Sequence, residues 1–206
     1  AVDIARSAGF DNVSLDLMYG LPAQSPQQWA DSLGSIIDLQ PDHISCYGLT
    51  LSENTPLYAY RDQAMLPGDD EQAAMYLYAA STLESYGYHQ YEISNFARTG
   101  RECMHNLKYW MGGEYMGFGP SASSDFAGTR YTFAADLPWY IRAVRTGDSL
   151  TTECEYVPIK ERAGEYIMLR MRTIYGIERS EYEATFLMPF DPLEQVLGFY
   201  ANRGLT

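Results

Sequence analysis

The first half of the 206-residue chain alternates strand-like and helix-like segments, and this order constrains the fold more than any other feature. Segments 13–18, 43–49 and 88–93 have the composition of strands. Between the first two, Ser25-Pro-Gln-Gln28 forms a capping box with proline at the first helical position, which predicts a helix start. Repeated strand–helix–strand order is typical of α/β proteins with a parallel sheet, and we predict that fold class here.

The second half has a different pattern, in which helices are joined by short turns. We therefore predict two domains: an α/β domain over 1–125 and a small, mainly helical, winged-helix-like domain over 126–206. The predicted helices of the second domain begin near Pro138, Pro158 and Ser180.

Charge and cysteine content exclude several classes of protein. The chain has 14 Lys+Arg against 27 Asp+Glu, a net charge of −13, which argues against binding to a nucleic-acid backbone. No apolar run approaches the roughly 20 residues of a membrane-spanning helix, so we expect no transmembrane segment.

The three cysteines, Cys46, Cys103 and Cys154, are too few and too far apart for a disulfide framework or a metal motif. This pattern indicates a reducing compartment, and we expect a cytoplasmic protein.

Both ends of the sequence lie within predicted elements. Val2, Ile4 and Ala5 already belong to a helical pattern that is closed by Gly9 before the first strand, as in the second half of a βα unit. The last residues, 203–206, form a turn pattern. We expect this chain to be a piece of a longer protein.

Asp16 is the first candidate for a functional residue. It interrupts an otherwise apolar strand just before the turn at 19–22. Functional groups of parallel α/β sheets gather at the carboxyl ends of the strands, where a carboxylate can accept two ribose hydroxyls. A structural aspartate that accepts hydrogen bonds from nearby backbone N–H groups is an equally good interpretation of its position.

His105 is the second candidate. It lies in the segment 103–110, which we predict to be a loop and which combines an imidazole with tyrosine and tryptophan. A neutral imidazole can ligate haem iron, and large aromatic rings suit a flat porphyrin face. By composition alone, a hydrogen-bonded structural histidine is the better interpretation. The sequence lacks Cys-x-x-Cys-His, so a c-type haem attachment is excluded.

Three further features receive no functional assignment. The stretch 117–122 fits Gly-x-Gly-x-x-Ala, but Pro120 and the turn-forming residues after it exclude a dinucleotide site, and tight backbone packing is predicted instead. Glu92 is a single carboxylate without an evident partner. His43, at the beginning of a strand, is predicted to be structural.

Three strings in this order resemble a known family: Asp-Leu-Met-Tyr-Gly-Leu-Pro at 16–22, Glu-Ile-Ser-Asn-Phe-Ala at 92–97 and His-Asn-x-x-Tyr-Trp at 105–110. Together they resemble the oxygen-independent coproporphyrinogen III oxidase family of radical S-adenosylmethionine (SAM) proteins, and most closely its haem chaperone branch. The resemblance runs from the first residues to about 130, and more loosely beyond. It implies the C-terminal part of a partial (β/α) barrel, followed by a small, mainly helical domain.

The resemblance also implies cofactors and site residues. Family members hold a 4Fe–4S cluster and SAM; Asp16 would contact the SAM ribose, Thr50 would add a SAM contact, and His105 would bind haem. The cluster motif Cys-x3-Cys-x2-Cys is absent from this sequence and lies upstream in the family. We therefore expect no cluster and no radical chemistry from this chain itself, while the parent protein would be oxidoreductase-like.

Three functions remain open from the sequence. The first is a haem chaperone that binds haem and delivers it to apoproteins, which the His-Asn-x-x-Tyr-Trp string favours. The second is a coproporphyrinogen III oxidase that forms protoporphyrinogen IX by oxidative decarboxylation in porphyrin biosynthesis. The third, without the resemblance, is a barrel piece that binds a small metabolite. The sequence does not determine the haem acceptor or the oligomeric state.

Overall fold

A computed structural model describes residues 1–53, 55–60 and 65–204. They form two compact units, Ala1–Met104 and His105–Thr206. This division differs from the predicted one at 125, which falls inside a strand of the second unit.

The first unit contains one sheet and its covering helices. Its helices are α1 (Val2–Ser7), α2 (Pro26–Asp38) and α3 (Asp69–Ser85), with a short 3-10 helix at Pro56–Tyr60; its strands are β1 (Ser14–Tyr19), β2 (His43–Gly48), β3 (His89–Glu92) and β4 (Asn95–Ala97). The strand order is β1-β2-β4-β3. Strands β1 and β2 are parallel, which confirms the α/β class. The expectation of a wholly parallel sheet was wrong, because the chain turns back after β3 and β4 pairs antiparallel with both β2 and β3.

Helix α2 shows how the local sequence sets the packing. The Ser25 hydroxyl accepts a hydrogen bond from the Gln28 backbone N–H (3.2 Å), and the Gln28 side chain accepts one from the Ser25 N–H (2.8 Å), as the capping box predicts. Trp29, Leu33 and Ile37 follow at four-residue spacing and are buried. The Trp29 indole N–H donates to the carbonyl of Met75 in α3 (2.9 Å), so the two helices are fixed together on one face of the sheet.

The second unit combines an antiparallel sheet with five helices in the described residues. The strands are β5 (Ser123–Phe126), β6 (Thr129–Phe133) and β7 (Thr151–Tyr156), in the order β5-β6-β7. The helices are α4 (Met104–Trp110), α5 (Leu137–Thr146), α6 (Ile159–Arg170), α7 (Arg179–Phe186) and α8 (Asp191–Ala201). The helices predicted near Pro138, Pro158 and Ser180 are present, whereas this sheet was not predicted.

An aromatic core holds the helices of the second unit together. The rings of Tyr166, Tyr182, Phe186 and Phe190 are buried, and neighbouring rings lie 5.2–6.0 Å apart. Such tilted and edge-on pairs add stability beyond the area they bury. None of the helices in the described ranges combines the length and apolar character that a membrane span requires.

Gly117 is predicted to tolerate no side chain. A Cβ atom there would lie 2.4 Å from the Ser123 carbonyl oxygen, so an alanine must push backbone apart. We expect Gly117→Ala to lower the free energy of unfolding by about 1–3 kcal/mol in urea denaturation. Gly164, in α6, has no atom within 4 Å of its would-be Cβ, and Gly164→Ala is expected to raise stability by up to about 1 kcal/mol. Equal effects of the two substitutions would contradict the close approach at Gly117.

Candidate functional site

A row of four polar residues crosses the first unit's sheet at one level. The pairing register places Asp16 opposite Ser45, Ser45 opposite Asn95, and Asn95 opposite Glu92. We call these four residues the polar row. Neighbours of these residues along β1, β2 and β4 belong to the core under α2 and α3, namely Leu17, Ile44, Cys46 and Phe96. Because side chains alternate along a strand, the polar row lies on the face away from those helices.

Asp16 presents an accessible carboxylate at one end of the polar row. Its side chain is exposed, and it accepts no hydrogen bond from any described residue. The structural interpretation, an aspartate bonded to nearby backbone N–H groups, is therefore not what the structure shows. The carboxylate is free to accept hydroxyl groups of a ligand.

His43 is a structural histidine beside this carboxylate. Its Nδ1 lies 2.8 Å from the Ser14 hydroxyl and its Nε2 lies 2.7 Å from the Tyr91 hydroxyl. Burial lowers the pKa of His43, and the negative charge of Asp16 opposes that shift. Both ring nitrogens are thus occupied within the sheet, and His43 ties three strand segments together.

Glu92 and Asn95, at the other end of the polar row, are buried with unsatisfied acceptors. The Asn95 side-chain amide and the Ser94 backbone N–H both donate to Glu92 Oε1. Glu92 Oε2 and Asn95 Oδ1 have no hydrogen-bond partner among the described residues, although the two residues are only 2% and 3% exposed. This pair was not identified from the sequence. The signal available in the sequence was that Glu92 and Asn95 stand three positions apart, on either side of a two-residue turn.

Thr50 lies just past the carboxyl end of β2. The Leu49 backbone N–H still donates to the Tyr19 carbonyl (2.9 Å), so the chain follows β1 to that point. The Thr50 side chain is exposed. Asp16 on β1 and Thr50 just after β2 therefore both belong to the first unit, whereas His105 belongs to the second unit.

His105 lies on helix α4, so the expectation of a loop at 103–110 was wrong. Tyr109 follows His105 by one helical turn, and the two rings meet edge to face with centroids 5.0 Å apart. The His105 side chain is exposed, and within the described residues neither ring nitrogen has a hydrogen-bond partner. The interpretation as a hydrogen-bonded structural histidine therefore does not hold. The imidazole is available to bind a metal.

A cavity of about 680 Å³ lies in the second unit, and Tyr109 lines it. Its volume is within the range of small-molecule sites. Tyr109 also packs edge-on against Tyr115, with ring centroids 4.7 Å apart. The aromatic side chains of the wall are Tyr109, Tyr115, Tyr156, Tyr166 and Phe186. His105 is thus in contact with a ring that forms part of an aromatic cavity.

The two arginines that line the cavity are paired with two of its four carboxylates. Arg162 donates to both oxygens of Asp125, at 2.6 Å to Oδ1, and Arg130 donates to Asp125 at 3.1 Å. Arg130 also donates to both carboxylate oxygens of Glu165, at 3.1 and 3.0 Å. Hydrogen bonds from Arg162 lower the pKa of Asp125, with a further contribution from Arg130. These arginines are therefore already paired with carboxylates.

The cysteines do not fit an iron–sulfur cluster. Cys46 faces the core under the helices, and burial raises its pKa to about 12, which disfavours the thiolate that binds a metal. Cys103 is half-buried and Cys154 is exposed. Within the described ranges, no three His, Cys, Asp or Glu side chains are grouped as metal ligands.

Sequence comparisons relate almost the whole chain to haem chaperones. It is 34% identical over 204 residues to a Bacillus subtilis protein named haem chaperone HemW, which covers 98% of this chain and 54% of that protein. It is 33% identical over 213 residues to radical S-adenosyl methionine domain-containing protein 1, mitochondrial, of Danio rerio, covering 98% of this chain and 47% of that protein. The chain spans about half the length of the curated relatives it matches. No family model matches the sequence.

A solved structure confirms the fold. The Escherichia coli coproporphyrinogen III oxidase HemN, described as a radical SAM enzyme, superimposes with a TM-score of 0.79 over 98% of this chain and 50% of its own. Sequence identity is 20%, so the similarity concerns the fold alone. The resemblance drawn from the three sequence strings is confirmed by the relatives named haem chaperone HemW and radical SAM domain-containing protein.

Proposed function

This chain is a relative of the HemW-like radical SAM proteins, and from this premise we propose that it binds haem and delivers it to apoproteins. The observation that carries the proposal is His105: an exposed imidazole on α4 with no competing hydrogen bond in the described structure. Neutral imidazole is a common axial ligand of haem iron. We assign that role to His105.

The cavity beside Tyr109 supports the same proposal. Its aromatic wall offers ring faces and edges to a flat tetrapyrrole, and its volume of about 680 Å³ is sufficient for a ligand of that class. Tyr109 links the two features, because its ring contacts the imidazole and also lines the cavity, whereas His105 itself is not a lining residue. We propose that the macrocycle is held between this wall and His105.

The first unit would hold part of a SAM molecule. Asp16 has the accessible carboxylate that a ribose diol requires, and Thr50 lies at the end of the neighbouring strand. When bound to a cluster, SAM supplies radical chemistry in this family. The cysteines of this chain do not fit a cluster, and we assign Asp16 and Thr50 to cofactor binding only.

The cellular setting follows from the same proposal. Haem is the ligand and haem-accepting apoproteins are the partners. All three cysteines are free thiols in the described structure, which is consistent with a reducing compartment such as the cytoplasm.

Haem titration tests the proposal. We expect the purified protein to bind haem in about a one-to-one ratio, with a shifted Soret absorption band, and to pass the haem to an added apoprotein. An anaerobic assay of the full-length parent protein with coproporphyrinogen III, SAM and a reductant provides the contrast, because this chain lacks the cluster motif. Conversion to protoporphyrinogen IX without haem binding would contradict the chaperone proposal and favour the oxidase alternative.

A further inference from the structure

Arg172 is a partly buried arginine that has no carboxylate partner in the described structure. It follows α6, and its guanidinium stacks on the Trp110 ring, 4.7 Å from the ring centroid. Its Nε atom is buried and has no hydrogen-bond acceptor, and no ion pair with a described residue involves this side chain. An unsatisfied buried donor costs free energy, so this arrangement is unfavourable without an acceptor.

The other partly buried arginines of the second unit are neutralised. Arg130 and Arg162 share Asp125 and Glu165, and Arg170 donates to both oxygens of Glu181. Arg170 Nε is likewise buried without an acceptor, so Arg172 differs from these three in having no carboxylate partner, although the chain carries a net charge of −13. Its guanidinium is therefore held by an aromatic ring and left without an anion.

The position of Arg172 relates it to the proposed haem site. Trp110 is on the same helix as His105. It follows His105 by five residues, which corresponds to a rise of about 7.5 Å along the helix axis. Tyr109, next to Trp110 in sequence, lines the cavity, and so does Leu169, three residues before Arg172. Arg172 is thus anchored at the end of the helix that carries the proposed iron ligand.

We propose that Arg172 binds a propionate carboxylate of the tetrapyrrole whose iron is held by His105. This inference rests on the proposed haem function and adds the residue that recognises the acidic edge of the ligand. A planar guanidinium can donate two parallel hydrogen bonds to one carboxylate, and stacking on Trp110 holds the plane in a fixed orientation. The strongly acidic chain repels an anionic ligand. A cation without a carboxylate partner offsets that repulsion locally.

Esterified haem tests this inference. The protein, its Arg172→Gln variant and its Arg142→Gln variant are titrated with haem and with haem dimethyl ester, in which both propionates are uncharged. Arg142 is an exposed arginine of α5, so its loss removes the same charge elsewhere in the unit. We expect Arg172→Gln to weaken haem binding about 10-fold and Arg142→Gln to change it less than about 2-fold.

Comparison of haem with its dimethyl ester separates recognition of the propionate by Arg172 from a structural effect of the Arg172→Gln substitution. The unsubstituted protein should bind the ester about 10-fold more weakly than haem, and Arg172→Gln should bind the two ligands equally. Equal weakening of both ligands by Arg172→Gln would overturn the inference while haem binding through His105 stands. Absence of haem binding in the unsubstituted protein would overturn the proposed function, and the inference with it.

Discussion

His105→Ala is expected to abolish the shifted Soret band that haem acquires on binding. The imidazole has no hydrogen-bond partner in the described structure, so its removal takes away an iron ligand without breaking an internal bond. The fold should be preserved, because His105 is exposed and its ring contact is with Tyr109. We expect haem affinity to fall by more than the roughly 10- to 100-fold that loss of a supporting residue costs at metal sites. Titration with haem, followed by absorption, measures both the Soret shift and the haem affinity.

His89 provides the matched control for that substitution. It is also exposed, and its Nδ1 lies 2.9 Å from Glu84 in the first unit. His89→Ala should leave the Soret band and the haem affinity unchanged. An unchanged spectrum in His105→Ala, or equal losses in the two variants, would remove His105 from the proposed site.

Asp125→Asn is expected to produce the largest loss of stability among polar substitutions. Asp125 is 8% exposed and accepts hydrogen bonds from Arg162 and Arg130. The amide of asparagine would turn an N–H group toward these guanidiniums and leave two charges poorly compensated. We expect the free energy of unfolding, measured by urea denaturation followed by circular dichroism, to fall by about 3 kcal/mol, the lower end of the range for buried ion pairs.

The pH dependence of this effect has a defined sign. The folded-state pKa of Asp125 is lowered, chiefly by hydrogen bonds from Arg162. Its ionised form therefore contributes stability above the unfolded-state pKa of about 3.9, and this contribution is lost as the pH falls through the folded-state pKa. The unsubstituted protein and Asp125→Asn should thus differ most near neutral pH and converge in acid.

Asp191 is the control for burial. It also pairs with an arginine, Arg179, at 2.5 Å, but its side chain is 66% exposed. Asp191→Asn should cost less than about 1 kcal/mol, because water and salt screen exposed ion pairs. If Asp125→Asn and Asp191→Asn lowered the free energy of unfolding equally, burial of the ion pairs of Asp125 would not be a source of stability.

The regular parts of the fold could be predicted from sequence because local signals agreed with the packing. The sequence of helix α2 contains a capping box and an apolar face. In the structure the capping-box hydrogen bonds are formed and the apolar face is buried. The antiparallel sheet of the second unit had no such signal. All six residues of β7, Thr151–Tyr156, are exposed, and every residue of β6 is partly exposed, so neither strand shows the alternation that identifies a half-buried strand. Strand β4, with three residues, is too short for a periodic pattern.

The candidate site was predictable only where one residue type identifies the chemistry. Asp16 and His105 were selected as candidates because a carboxylate in an apolar strand and an imidazole among aromatic residues are unusual. Arg172 carried no such signal, since its contact with Trp110 joins segments more than 60 residues apart. The unsatisfied acceptors of Glu92 and Asn95 depend in the same way on three-dimensional burial.

The polar row has a consequence for strand alignment. Asp16, Ser45 and Asn95 alternate with the residues that pack beneath α2 and α3. A slip of one position between neighbouring strands would drive carboxylate and amide groups into the hydrocarbon layer and expose Leu17, Ile44 or Phe96. The alternation that keeps polar side chains on one face of the sheet thereby disfavours misaligned strands, so the positions proposed to contact a ligand also fix the register of the sheet.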